Sequence, residues 1–231
     1  MAQRYKLLMI LVFFSSLSLA DNLRRYEISI TNITKGQTFT PQLVVTHKAS
    51  VRLFTLGESA SLSLEMLAEG GDTAPLTSDL ESLSNKIGEV TTIAGLLGPG
   101  ETINGEISAK RRQRYLSFAA MLIPTNDTFV ALNGVLLPNR GSKSYTALAY
   151  DAGTETNDQN CANIPGPRCI VEGVQGEGHS PGPNDGDEGF VYVSNGFHEL
   201  GTDDGNGNEI LRPVVYDWRN PIARVTVKRL R

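Results

Sequence analysis

Four acids sit just past two apolar, strand-like runs. Asp127 closes the turn in "LIPTNDTFVALNG", and Asp151, Glu155 and Asp158 lie in "YDAGTETNDQNC". Carboxylates at neighbouring strand ends suit three kinds of chemistry. They can hold a hard cation, because calcium takes about six to eight oxygen ligands from carboxylates, carbonyls and water. Two of them can serve as acid and base in glycoside hydrolysis. They can also be turn residues whose side chains bond the nearby backbone. "DAGTE" spaces Asp151 and Glu155 four residues apart around Ala152 and Gly153. The glycine lets such a loop fold back so that both acids face one point. Carboxylates gathered this way repel one another unless a cation offsets the repulsion.

Other residues are weaker candidates. "NDGDEG" (184–189) and "GTDDGNGNE" (201–209) are rich in oxygen ligands. The second lacks the alternating acid spacing of a helix-flanked calcium loop, so both are read as solvated loops rather than a second ion site. His47, His179 and His198 have no metal-ligand spacing to one another, and no G-x-S-x-G occurs. Asn32 and Asn126 head N-x-T triplets that fit the glycosylation pattern. Trp218 in "YDWRNP" is assigned to packing.

The elements that must position the acids read as β. Gly is high at 23 residues and Pro adds 11, which favours many turns. "YEISITNIT" (26–34) alternates as a first strand, and "PQLVVTH" and "VRLFTL" follow as short β-branched runs. "SASLSLEMLAEGGD" changes period and predicts a short helix ended by Gly70 and Gly71. A second helical or irregular piece is expected over 78–87. Strands resume at 102–109, 114–124, "TFVALNGV", "SYTALAYD", "GFVYVSNGF" and "IARVTVKRL". About eight strands with a helical insertion predict a single all-β domain, an antiparallel β-sandwich with long loops at one end.

Residues 1–20 are different material. Arg4 and Lys6 precede an apolar run, and small residues end the segment at Ala20. This predicts a cleaved secretory signal and a domain spanning 21–231. No later segment is long and apolar enough to be expected to span a bilayer. Without residues 1–20, 19 basic residues face 25 acidic ones, a charge of −6. That balance argues against nucleic-acid binding. In an oxidising compartment Cys161 and Cys169 are expected to bridge, stapling the loop "ANIPGPR".

Four stretches together resemble the spondin N-terminal domain family, the extracellular domain of F-spondin and mindin. They are "PQLVVTHKASVRLFTLGESASLSLEMLAEGGDTAPL", "SFAAMLIPTNDTFVALNGV", "YDAGTETND" and "YDWRNPIARVTVKRL". They fall in the family's order from about residue 26 to 230, in a pattern closest to secreted bacterial members. The resemblance implies an antiparallel β-sandwich with a calcium ion in loops at one end. It implies Asp127, Asp151 and Glu155 as the metal ligands, with Asp158 as a substitute for Glu155. Thr128 stands where animal members carry an aromatic residue. The resemblance also implies a secreted or periplasmic adhesion or recognition module and no enzyme. Its partner would be a cell-surface or matrix protein or glycan. The rivals are an extracellular hydrolase acting on carbohydrate through loop carboxylates and a structural envelope protein.

Overall fold

The computed structural model describes residues 23–160, 163–165, 186–194, 196–197 and 211–230. Residues 1–20, Cys161, Cys169, His179, His198 and the 201–209 loop therefore lie outside the described residues. Among the described residues, eight strands have six residues or more: β1 (Arg24–Asn32), β3 (Gln42–His47), β4 (Ile87–Ile93), β5 (Thr102–Ala109), β6 (Tyr115–Ile123), β7 (Thr128–Leu136), β8 (Ser142–Asp151) and β10 (Ala223–Arg229). Two-residue strands, β2 (Thr38–Phe39) and β9 (Tyr192–Val193), attach to β6 and β8. The helical elements among the described residues are α1 (Leu62–Gly70), α2 (Ala74–Ser82), a 3-10 turn at Ser84–Lys86 and a four-residue α3 (Pro213–Tyr216).

The strands form one hydrogen-bonded path, β4-β3-β6-β7-β8-β10-β1-β5, antiparallel at every pairing. β8 turns the corner. Its first half, through Ala147, pairs with β10, and Leu148–Asp151 pair with β7. The two halves of the path face each other across the main core. Ile28, Ile30 and Val225 from one half meet Val44, Phe118 and Val130 from the other. The free ends also approach. Thr46 donates its hydroxyl to the Ser108 carbonyl at 2.7 Å, and the Ser108 amide donates to Glu89 at 2.6 Å. The sandwich is thus nearly closed into a barrel.

β6 explains the long apolar run in the sequence. Its residues from Leu116 to Ile123 are all buried, because both faces are covered. Phe118 and Ala120 face the main core. Ala119 faces a second core, built with Leu43, Val45, Phe129 and Ala131 under Leu64, Leu67 and Ala68 of α1 and Leu76 and Leu80 of α2. α1 is capped at both ends. The Ser61 hydroxyl accepts from the Leu64 amide, and Gly71 ends the helix at φ +68°.

Three expectations for elements need correction. "VRLFTL" is no strand. Val51, Leu53 and Phe54 are buried in the second core, and Asn133 takes the place of a strand partner. Its side chain accepts from the Leu53 amide at 2.9 Å and donates to the Phe54 carbonyl at 2.8 Å. The second helix begins earlier, at Ala74, with Pro75 in its first turn where the missing amide is harmless. β4 was not expected. It is an end strand with only Ile87 fully buried, so its hydrophobic pattern is faint.

Candidate functional site

Three strand ends and one helix converge at one end of the sandwich. The turn 124–127 joins β6 to β7, and the register then sets Thr128 opposite Asp151, the last residue of β8. Asp151 also lies opposite Tyr192 of β9. The loop leaving β8 folds over the turn. The Ala152 amide donates to the Asp127 carbonyl at 3.2 Å, and the amides of Thr154 and Glu155 donate to Asp127 Oδ2 at 2.7 and 3.2 Å. Asp127 thus gathers the loop that carries the other two acids.

Gly153 makes this fold-back possible. Its φ is +66°, and a Cβ there would stand 2.3 Å from the Phe190 carbonyl oxygen. Both the backbone conformation and the close approach require glycine.

The structure brings Asp127, Asp151 and Glu155 to the same end and buries all three, at 0%, 1% and 0% exposure. Asp151 behaves partly as a turn residue. Its Oδ1 accepts from the Gly153 amide at 2.9 Å, and its Oδ2 accepts from Asn157 Nδ2 at 3.1 Å. Asp127 Oδ1 and both carboxylate oxygens of Glu155 are buried with no hydrogen-bond donor. Buried polar atoms are almost always partnered, so three such oxygens in one cluster call for a physical cause.

Electrostatics agree with the geometry. Burial, then the Asp151 charge, holds the Asp127 carboxyl well above its ordinary range. Burial raises Asp151 too, with the Glu188 charge adding to it against the Gly153 and Asn157 hydrogen bonds. Glu155 is pushed up to about 9 by burial, then by the charges of Glu69 and Asp127. With its carboxyl raised that far, Glu155 favours the protonated form at neutral pH.

Asp158 is different. Its Oδ1 accepts from Asn126 Nδ2 at 3.0 Å and the Asn160 amide at 2.9 Å, and its Oδ2 accepts from Asn163 Nδ2 at 2.6 Å. Its oxygens are occupied in holding the loop to the turn. Two further acids were not expected here. Glu188 belongs to the 184–189 loop, and Asn157 Nδ2 donates to both Glu188, at 3.3 Å, and Asp151. The described part of that loop therefore joins the same cluster rather than forming a separate one. Glu69 on α1 is 2% exposed and is the charge that most raises Glu155. A signal for it existed in the sequence. Glu65 and Glu69 are one helical turn apart, a like-charge spacing that weakens a helix.

The cluster fits a hard cation by donor type, since its unpartnered atoms are all carboxylate oxygens. Among the described residues, no group of three or more His, Cys, Asp or Glu side chains already has ion-site geometry.

The remaining candidates have structural roles. His47 is buried, with Nε2 2.8 Å from Ser117 Oγ and Nδ1 2.8 Å from the Lys48 carbonyl. Asn32 is buried and donates to the carbonyls of Gln37 and Leu97. Asn126 is bonded to Asp158, so neither amide is free to carry a glycan. Trp218 packs edge-on against Phe197 in the main core. A cavity of about 410 Å³ lies nearby, lined by Tyr192, Phe197, Asp217 and Arg219 among others. None of the three candidate acids lines it.

A family model described as Spondin_N matches residues 30–163, more than half of the chain. The match includes Asp127, Asp151 and Glu155. No curated protein matches the chain.

Proposed function

Because the chain belongs to the spondin N-terminal domain family, we propose that it is an extracellular recognition module that binds calcium at the acid end of its sandwich. Asp127, Asp151 and Glu155 supply carboxylate ligands, and loop carbonyls and water complete the shell. The observation that carries this reading is the set of three buried carboxylate oxygens without donors on Asp127 and Glu155. A cation supplies the partner that those oxygens lack and offsets the mutual repulsion of the acids. Its job is to order the loops into a surface that meets a cell-surface or matrix protein or glycan. The role is adhesion, not catalysis. The acids are sealed from solvent, which leaves a polysaccharide chain no route to them. No helix among the described residues is long and apolar enough to cross a membrane. That fits a secreted or periplasmic chain whose first twenty residues are a signal.

Calorimetric titration with calcium tests the assignment. Saturable binding is expected for the wild type and for Asp158→Asn, whose side chain holds the loop. Asp127→Asn is expected to lose binding. Equal binding by Asp127→Asn would overturn it, as would no heat from the wild type across millimolar calcium.

A further inference from the structure

The end of the sandwich opposite the acids is cationic. β1 begins there with Arg24, β10 ends there with Arg229, and the β5–β6 turn carries Lys110, Arg111 and Arg112. Strand register brings them together: Arg24 lies opposite Ala109, and Tyr26 lies opposite Arg229. A cavity of about 310 Å³ opens between these ends, lined by Leu23, Arg24, Arg111 and Arg229. That volume falls at the small end of ligand sites, about 300–1,000 Å³.

The neighbouring cations on the strand faces are matched by acids. Arg25 pairs with Glu106, and Lys228 lies 3.6 Å from Glu27. The cavity arginines are not matched. Arg24 donates to Asn139 Oδ1 at 3.3 Å. Arg229 donates to the Arg25 carbonyl at 3.1 Å and lies over the Tyr26 ring, 5.3 Å from its centroid. Arg111 is exposed and has no hydrogen bond or ion pair among the described residues. Three guanidinium groups thus line one cavity with no carboxylate among its described lining residues. An anion in the cavity would meet like charges from three strand ends and loops at once. The planar donor fork of arginine matches oxyanions such as sulfate and phosphate esters.

We propose that this cavity binds the sulfate or phosphate ester groups of an anionic polysaccharide. Two other polyanions suit it less. A bilayer favours basic side chains spread over an outward face, whereas these arginines line a concave site. Single-stranded nucleic acid uses exposed rings as stacking platforms. The ring at this site, Tyr26, is 1% exposed and already lies under Arg229. Ester groups spaced along a flexible sugar chain can enter the cavity one at a time. Nine- and ten-residue strands separate the cavity from the acid cluster, about 30 Å at the usual strand rise. The proposal therefore stands apart from calcium binding.

The test is fluorescence anisotropy with labelled oligosaccharides in sulfated, phosphorylated and uncharged forms. Saturable, salt-sensitive binding is expected for the sulfated or the phosphorylated form, and the comparison says which ester is preferred. Arg111→Gln is expected to weaken it about tenfold or more, and the Arg24→Gln/Arg111→Gln pair to abolish it. Arg111 makes no internal bond, so its variant keeps the wild-type melting temperature. Arg224→Gln, an exposed arginine on β10 outside the cavity, keeps full affinity, as does wild type in chelator. Unchanged affinity in Arg111→Gln, or equal binding of the uncharged form, would overturn the proposal. Binding to phosphatidylglycerol vesicles with none to any oligosaccharide would overturn it too.

Discussion

Glu155 is the residue at which the ion-binding account makes its sharpest claim. Its carboxyl is raised from the ordinary range to about 9, first by burial and then by Glu69 and Asp127. A folded-state value above the unfolded one means that the group's contribution to stability is fully present below the unfolded value. It is lost as pH rises through the folded value. In chelator, stability is therefore expected to decline from about pH 4.5 toward pH 9. Glu155→Gln removes that part of the slope, because its amide cannot ionise. Urea midpoints at pH 5, 7 and 9 check this. A wild-type slope that persists in the variant would place its origin elsewhere. If calcium binds as proposed, it takes the ionised form, and added calcium is expected to reverse the balance in the wild type. Asp158 shows why residue type alone does not rank the candidate acids. It is as acidic as the others in the sequence, yet three donors from Asn126, Asn160 and Asn163 already occupy it.

At the scale of elements, the loop after β8 depends on Gly153. Gly153→Ala is expected to destabilise the protein by more than the about 1–2 kcal/mol of its left-handed backbone alone. The added Cβ also meets the Phe190 backbone, which does not yield as a flexible side chain would. Urea unfolding reads the loss, and calcium titration of the same variant reads the weakened site. This loop was legible in the sequence because its signal is local, with acids spaced around a glycine after a strand. The stop of α1 at Gly71 was legible for the same reason. The 51–56 segment was not. Its alternating apolar residues do point inward, but the Asn133 side chain, not a neighbouring strand, satisfies its backbone. Glu188 was missed because only tertiary packing brings its distant loop to Asn157 and Asp151, and Glu69 because its one sequence signal, the spacing from Glu65, does not say what the helix packs beside.

The whole molecule is polarised along its strands. Acids from two loops, one helix and the segment before β9 gather at one end, while unmatched arginines line a cavity at the other. A charge of −6 for residues 21–231 conceals this division. The near-closed sandwich between the ends, with β6 buried on both faces, is the rigid body on which both loop sets stand. An ion that binds only the folded state stabilises the whole fold by mass action, about 2.7 kcal/mol at a hundredfold excess over its dissociation constant. For a domain of this size that corresponds to a rise of about 5 to 10 °C in melting temperature. Thermal unfolding of residues 21–231 in calcium and in chelator, beside Asp151→Asn, tests the central claim most directly. The account predicts a calcium-dependent rise of that order in the wild type and none in the variant. No shift in the wild type at millimolar calcium, or the same shift in Asp151→Asn, would contradict it.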